Sequence, residues 1–170
     1  YFLPGHGGSL KEEYFGVYAD YFIRYFEEME KEGFRIWGVT PVNEPEGNNG
    51  SWESMHFSPE EEAEFIGRYL GPAIEKSAFP HVKIFAFDQN RPELPHWAEG
   101  IYANKEARKY ITGMAIHWYA STYCVFEEIL DSIHRIYPEH SILHTEGCID
   151  NLGVAAGDWA EDPDGWEEEG

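Results

Sequence analysis

Apolar side chains recur at three- and four-residue steps over residues 13–32, where Tyr14, Tyr18, Tyr21, Phe22, Tyr25, Phe26 and Met29 form one wide stripe. The spacing predicts a helix closed by Gly33. The mainly apolar run 34–40 then predicts a buried strand, and the Asn-, Gly- and Pro-rich stretch 41–57 a loop. Ser58-Pro59-Glu60-Glu61 opens a second helix: Ser58 caps, Pro59 suits the first helical position and Glu61 completes a capping box. Ala63, Ile66, Leu70 and Ile74 continue its inner face. Beyond it the pattern predicts a strand at 82–87, a broken helical region at 93–110 and a strand at 114–119. A helix with Phe126, Ile129, Leu130 and Ile133 inward follows, and a last strand at 141–145 ends on Glu146.

Strands alternating with helices indicate an α/β fold with a parallel sheet. Doubly wound sheets and (β/α)8 barrels share this rhythm, and the polar residues decide between them. Asn43-Glu44, Asp88-Gln89-Asn90, His117-Trp118-Tyr119 and Glu146 each stand at the end of a strand, as the C-terminal face of a barrel requires. Gly5-His6-Gly7-Gly8 lacks the Lys-Ser/Thr of a phosphate loop, which argues against a nucleotide fold. Four strands make half a barrel, and a full one takes about 250 residues. The 170 residues therefore read as one partial TIM-barrel catalytic domain.

Composition narrows the functions. Hydrophobic residues make up 42%, with 6 Trp, 11 Tyr and 11 Phe, which excludes a disordered chain. No run approaches the roughly 18 apolar residues of a membrane span. The net charge of −20 disfavours nucleic acid and anionic membrane surfaces as partners. No Lys or Arg follows Arg135, and the acidic stretch 151–170 reads as a solvated loop.

Glu44 and Glu146 are the candidate chemistry. They lie 102 residues apart, so only the fold can pair them. Two carboxyls facing one cavity would suit glycoside hydrolysis, with one as proton donor and the other as nucleophile or base. Taken singly, either is an ordinary exposed Glu. Asn43 suits a sugar contact or a turn before Pro45. His117 and Tyr119 share strand parity, so both should face the barrel mouth, with Tyr119 within reach of Glu146. Asn90, or its neighbour Gln89, is a further candidate for a sugar hydroxyl; Asp88 suits backbone or Arg91 as well as substrate. His117, His144 and Glu146 could be read as a metal triad, but no compact His or Cys cluster supports it, so no metal and no cofactor are expected. Weaker signals are the glycosylation triplet Asn49-Gly50-Ser51, a Cys124–Cys148 disulfide, and Trp52, Trp159 and Trp166 as sugar-stacking residues.

At these residues the chain resembles a known family. Trp37-Gly38-Val39-Thr40-Pro41-Val42-Asn43-Glu44-Pro45 resembles the fourth-strand motif of glycoside hydrolase family 30, the lysosomal glucosylceramidase family. His144-Thr145-Glu146-Gly147-Cys148 resembles its seventh-strand motif, and Asp88-Gln89-Asn90-Arg91, Pro95-His96-Trp97-Ala98 and His117-Trp118-Tyr119 lie between them in the expected order. The resemblance implies barrel strands four to seven, Glu44 as acid/base, Glu146 as nucleophile and Asn43 on the sugar 2-hydroxyl. It also implies a retaining β-glycosidase of glucosylceramidase type acting on a glycolipid or glucan β-glucoside. Export to a secreted, periplasmic or lysosomal location follows from the same resemblance, as do further barrel strands and a β-sandwich domain outside the chain. A β-1,6-glucanase or β-xylosidase is the alternative within this chemistry. A non-catalytic carbohydrate-binding barrel piece is the alternative outside it, against which the presence of both carboxyls counts.

Overall fold

The computed structural model describes residues 8–47, 54–121 and 124–147. The Asn49-Gly50-Ser51 triplet, Trp52, Trp159, Trp166, Cys148 and the acidic stretch 151–170 lie outside the described residues. Within them the elements run β1 (Gly8–Ser9), α1 (Phe15–Lys31), β2 (Gly38–Val39), β3 (Met55–His56), α2 (Pro59–Phe65), α3 (Gly71–Lys76), β4 (Lys83–Asn90), α4 (Leu94–Ala103), α5 (Lys105–Arg108), β5 (Ile111–His117), α6 (Glu127–Ile136) and β6 (Ser141–Glu146). The strands β2, β4, β5 and β6 form one parallel sheet in that order. Chain order and sheet order coincide and helices supply every crossover, which is how a (β/α)8 barrel is built. β1 and β3 make a separate two-residue parallel pair inside what the sequence reads as coil.

The second helix starts as its sequence dictates. The Glu61 amide donates to Ser58 Oγ (3.1 Å) and the Ser58 amide to Glu61 Oε2 (2.8 Å), a reciprocal cap worth about 1 kcal/mol. Between α2 and α3 the turn widens over Ile66–Leu70, and the Gly71 amide reaches back to the Ile66 carbonyl. Pro72, having no amide to continue the regular ladder, accounts for the break. Aromatic residues pack α1 onto α2: Phe15 meets Phe65 edge-on at 5.5 Å and Tyr18 stacks on Phe65 at 5.2 Å. On the other side Phe87 of β4 packs against Trp97 of α4 at 5.4 Å. β5 and β6 approach so closely at Gly113 that a Cβ there would lie 2.0 Å from the Ser141 carbonyl oxygen, so glycine is the residue that lets Glu146's strand lie against His117's.

The observed elements differ from expectation at several edges. Only Gly38–Val39 of the run 34–40 pairs as strand, with β4 as its neighbour among the described residues; the Trp37 carbonyl extends that contact by accepting the Lys83 amide (3.0 Å). β4 runs past residue 87 to Asn90, with a register break between Phe87 and Gln89. β5 ends at His117, so Tyr119 lies in the turn beyond it and strand parity does not govern its direction.

Candidate active site

The carboxyl ends of β2, β4, β5 and β6 bring the polar clusters to one edge of the sheet. The chain leaves β2 through Thr40 and Pro41, and the Tyr18 hydroxyl of α1 donates to the Pro41 carbonyl (2.7 Å). Glu44 follows in a left-handed conformation (φ 48°), its amide held by the Asp88 carbonyl (3.0 Å). Asp88 itself (φ 55°) and Phe87 (φ 80°) are also left-handed, at the register break of β4. Such backbone is costly for side-chain-bearing residues, of order 1–3 kcal/mol each, and persists only where surrounding bonds dictate it. Here those bonds are explicit. Beyond Glu44, Trp97 Nε1 donates to Glu46 Oε1 (2.7 Å) and the Phe57 amide to the Pro45 carbonyl (3.2 Å), so the loop carrying Glu44 is fixed at both ends.

His117 stands at the centre, with 0% exposure. Its Nδ1 lies 3.2 Å from Glu44 Oε1, and its Nε2 lies 3.1 Å from Asp88 Oδ1 and 3.6 Å from Glu146 Oε2. One imidazole therefore touches three carboxyl groups, drawn from the loop after β2 and from the carboxyl ends of β4 and β6. Those contacts set the Glu44 and Glu146 carboxyls on the two nitrogens of one ring, so both stand at the same point of the sheet's carboxyl edge. Glu44 is 6% exposed, whereas the Glu146 side chain is 46% exposed and receives a hydrogen bond from the Tyr119 hydroxyl (3.0 Å). The Tyr119 ring stands edge-on to His117 at 5.9 Å.

Asp88 is the residue whose sequence-based reading fails. Among the described residues its side chain binds neither backbone nor Arg91. Its Oδ2 accepts from Thr40 Oγ1 (2.7 Å) and its Oδ1 from Thr145 Oγ1 (2.6 Å), so it ties β2 and β6 to His117 of β5. Burial disfavours its charge, but the hydrogen bonds from His117, Thr145 and Thr40 and the His117 charge hold its carboxyl below the usual carboxylate range. Burial also disfavours a charged imidazole at His117. The hydrogen bonds to Asp88 and Glu44 and the charges of Asp88 and Glu146 outweigh that and raise it to about 9. At neutral pH His117 is thus an imidazolium whose two N–H groups donate to Asp88 and Glu44.

That charge is linked to stability. The folded-state value lies above the ordinary 6.5, so the native state keeps a proton the unfolded chain releases. The stabilisation is complete below pH 6.5 and fades as pH rises to about 9. Thermal unfolding of the polypeptide carrying the whole barrel is expected to show that decline, and His117→Gln to flatten it. An unchanged slope in the variant would contradict the assignment.

The remaining candidates sit nearby. Asn43 is exposed beside Glu44. Asn90 is half-buried, and its Oδ1 accepts the Ala120 amide (3.2 Å) in the turn that carries Tyr119. Arg91 braces the same turn by donating to the Ser121 (2.7 Å) and Trp118 (3.2 Å) carbonyls. His144 Nε2 contacts the Glu146 carbonyl oxygen (2.9 Å), and among the described residues no group of His, Cys, Asp and Glu side chains could hold a metal ion. Cys124 is exposed. Among the described residues no helix is long and apolar enough to cross a membrane. Sequence reasoning missed Thr40 and Thr145, although one directly follows β2 and the other directly precedes Glu146, and it missed Arg91 as a brace.

Comparison with known proteins now decides the family. The glycosyl hydrolase family 30 TIM-barrel domain matches residues 4–163. The chain belongs to glycosyl hydrolase family 30. Mouse (Mus musculus) lysosomal acid glucosylceramidase is 33% identical over 92% of the chain and 31% of its own length. Endo-1,6-beta-D-glucanase BGN16.3 of Trichoderma harzianum is 29% identical over 84% of the chain and 28% of its own length. Among solved structures, SrfJ from Salmonella typhimurium superposes with a TM-score of 0.81 at 26% identity, covering 97% of this chain and 36% of that one. The endo-beta1,6-glucanase BT3312 gives 0.77 at 30% identity, covering 98% and 38%. The chain thus spans about a third of the length of these relatives, and this family 30 sequence supplies part of the barrel, as its four-strand pattern leads one to expect.

Proposed function

We propose that this chain carries both catalytic carboxyls of a retaining β-glycosidase acting on glucosylceramide-type β-glucosides. The observation that supports this most is the placement of Glu44 and Glu146 on opposite nitrogens of one buried imidazole at the carboxyl edge of a parallel sheet. Glu146, the more exposed of the two, is the nucleophile: its carboxylate forms a bond to the anomeric carbon as the bond to the aglycone oxygen breaks. Glu44 gives its proton to that leaving oxygen. In the second half Glu44 takes a proton from water, whose oxygen attacks the anomeric carbon and displaces Glu146. Tyr119 orients Glu146, Asn43 binds the 2-hydroxyl, Asn90 offers its NH2 to another hydroxyl, and the His117 cation keeps the three carboxyl groups together.

The 30% identity with a β-1,6-glucanase structure over nearly the whole chain favours one second reading, a β-1,6-glucan as substrate. The polypeptide carrying the complete barrel, given an aryl β-glucoside, glucosylceramide in detergent and a β-1,6-glucan, distinguishes the two by the preferred substrate. Proton NMR of the first-formed sugar is expected to show the β-anomer. An α-anomer appearing first would overturn double displacement.

A further inference from the structure

Glu62 of α2 has 0% exposure, a burial shared among ionisable side chains of the described residues by His117. It has no cationic partner among the ion pairs of the described residues. Both of its carboxyl oxygens lie 3.2 Å from the Phe87 amide. That amide belongs to the first of the two left-handed residues where β4 breaks register, and the second is Asp88. A strand amide at a bulge loses its ladder partner and, buried, must find another. Glu62 supplies it from the helix side. From there the connections are short: the Asp88 carbonyl accepts the Glu44 amide (3.0 Å), and the Asp88 side chain accepts from His117, Thr40 and Thr145.

We propose that Glu62 is a positioning residue of the glycosidase site, holding the Phe87–Asp88 bulge in the geometry that aims Asp88 at His117 and anchors the Glu44 backbone. This rests on the glycosidase reading above and adds a residue outside the cavity. Glu62 does this as a carboxylic acid. Burial raises it, the Phe87 amide works the other way and the Asp88 charge raises it further, to about 8. The ionisable group that acts on it is Asp88 of β4; Glu62 acts in turn on Tyr18 of α1, whose hydroxyl is raised to about 12 by burial and by the Tyr21 and Glu62 charges. Ionisation of Glu62 would place a second buried negative charge beside Asp88 and push the bulge apart.

The test compares Glu62→Gln and Glu62→Leu with wild type in the polypeptide carrying the complete barrel, using 4-nitrophenyl β-glucoside across pH together with the His117 imidazole NMR resonances. Glu62→Gln keeps an acceptor for the Phe87 amide, so near-wild-type kcat and an alkaline limb displaced to higher pH are expected. Glu62→Leu removes the acceptor; kcat should fall about 10- to 100-fold with KM little changed, and the His117 resonances should shift. A folded Glu62→Leu protein with wild-type kcat and unmoved His117 resonances would overturn the assignment. Should Glu62→Leu fail to fold, an alkaline limb unmoved in Glu62→Gln would overturn it instead. A wild-type polypeptide that hydrolyses no glycoside would refute the activity alone, and the His117 resonances of Glu62→Gln and Glu62→Leu would still decide whether Glu62 positions the cluster.

Discussion

Replacing Glu146 by Gln is expected to reduce kcat by about 10⁴-fold or more on every glycoside, whatever the leaving group. The amide matches the carboxylate in shape and still accepts from Tyr119, so the loss reports the missing nucleophile rather than a disturbed loop. It also removes the negative partner lying 3.6 Å from His117 Nε2 while leaving Asp88 and Glu44 in place, so the charged imidazole keeps both of its hydrogen bonds. Cutting the side chain back to glycine opens room for azide. Azide should then restore turnover and yield the α-glycosyl azide, because it attacks from the face Glu146 occupied. Turnover of Glu146→Gln within a few-fold of wild type would remove Glu146 from the mechanism.

Replacing Glu44 by Gln is expected to act selectively. Aglycones that are poor leaving groups need a proton on the departing oxygen, and their hydrolysis should slow by about 10²- to 10⁴-fold. Dinitrophenyl β-glucosides leave without that proton, so their glycosylation step should be spared and a burst of phenolate should appear while the glycosyl-enzyme accumulates. Glu44 is 6% exposed and bonded to His117, and Gln preserves an oxygen for the Nδ1–H to donate to. Equal losses on good and poor leaving groups would show that Glu44 contributes charge or geometry instead of a proton.

The two carboxyls and the barrel type are legible in the sequence because each strand delivers its polar residue directly after a mainly apolar run. The contacts that organise them are less so. Asp88 follows a run whose alternation would aim it by parity, but the left-handed Phe87 and Asp88 break the period of two, and no local pattern marks a bulge built of ordinary L-residues. Tyr119 finds Glu146 from a turn, not from a strand face. Glu62 hides in Glu60-Glu61-Glu62, which resembles a solvated acidic first turn. Its helical phase was the available signal, since Glu62 shares the inward stripe with Pro59, Ala63 and Ile66. The run 34–40 shows the converse error: apolar composition reports what a segment packs against, while ladder pairing depends on neighbours that local sequence does not name.

The buried His117 has one more consequence, which concerns dissolved salt. Mobile ions weaken interactions between exposed charges over a Debye length of about 10 Å at 0.1 M, but they do not enter a contact from which water is excluded. The imidazolium and its Asp88 and Glu44 partners are such a contact, whereas most of the other acidic side chains of the described residues meet solvent. Ionic strength therefore acts on how this strongly acidic surface meets other charged bodies, and leaves the pairing that sets the two carboxyls in place nearly untouched.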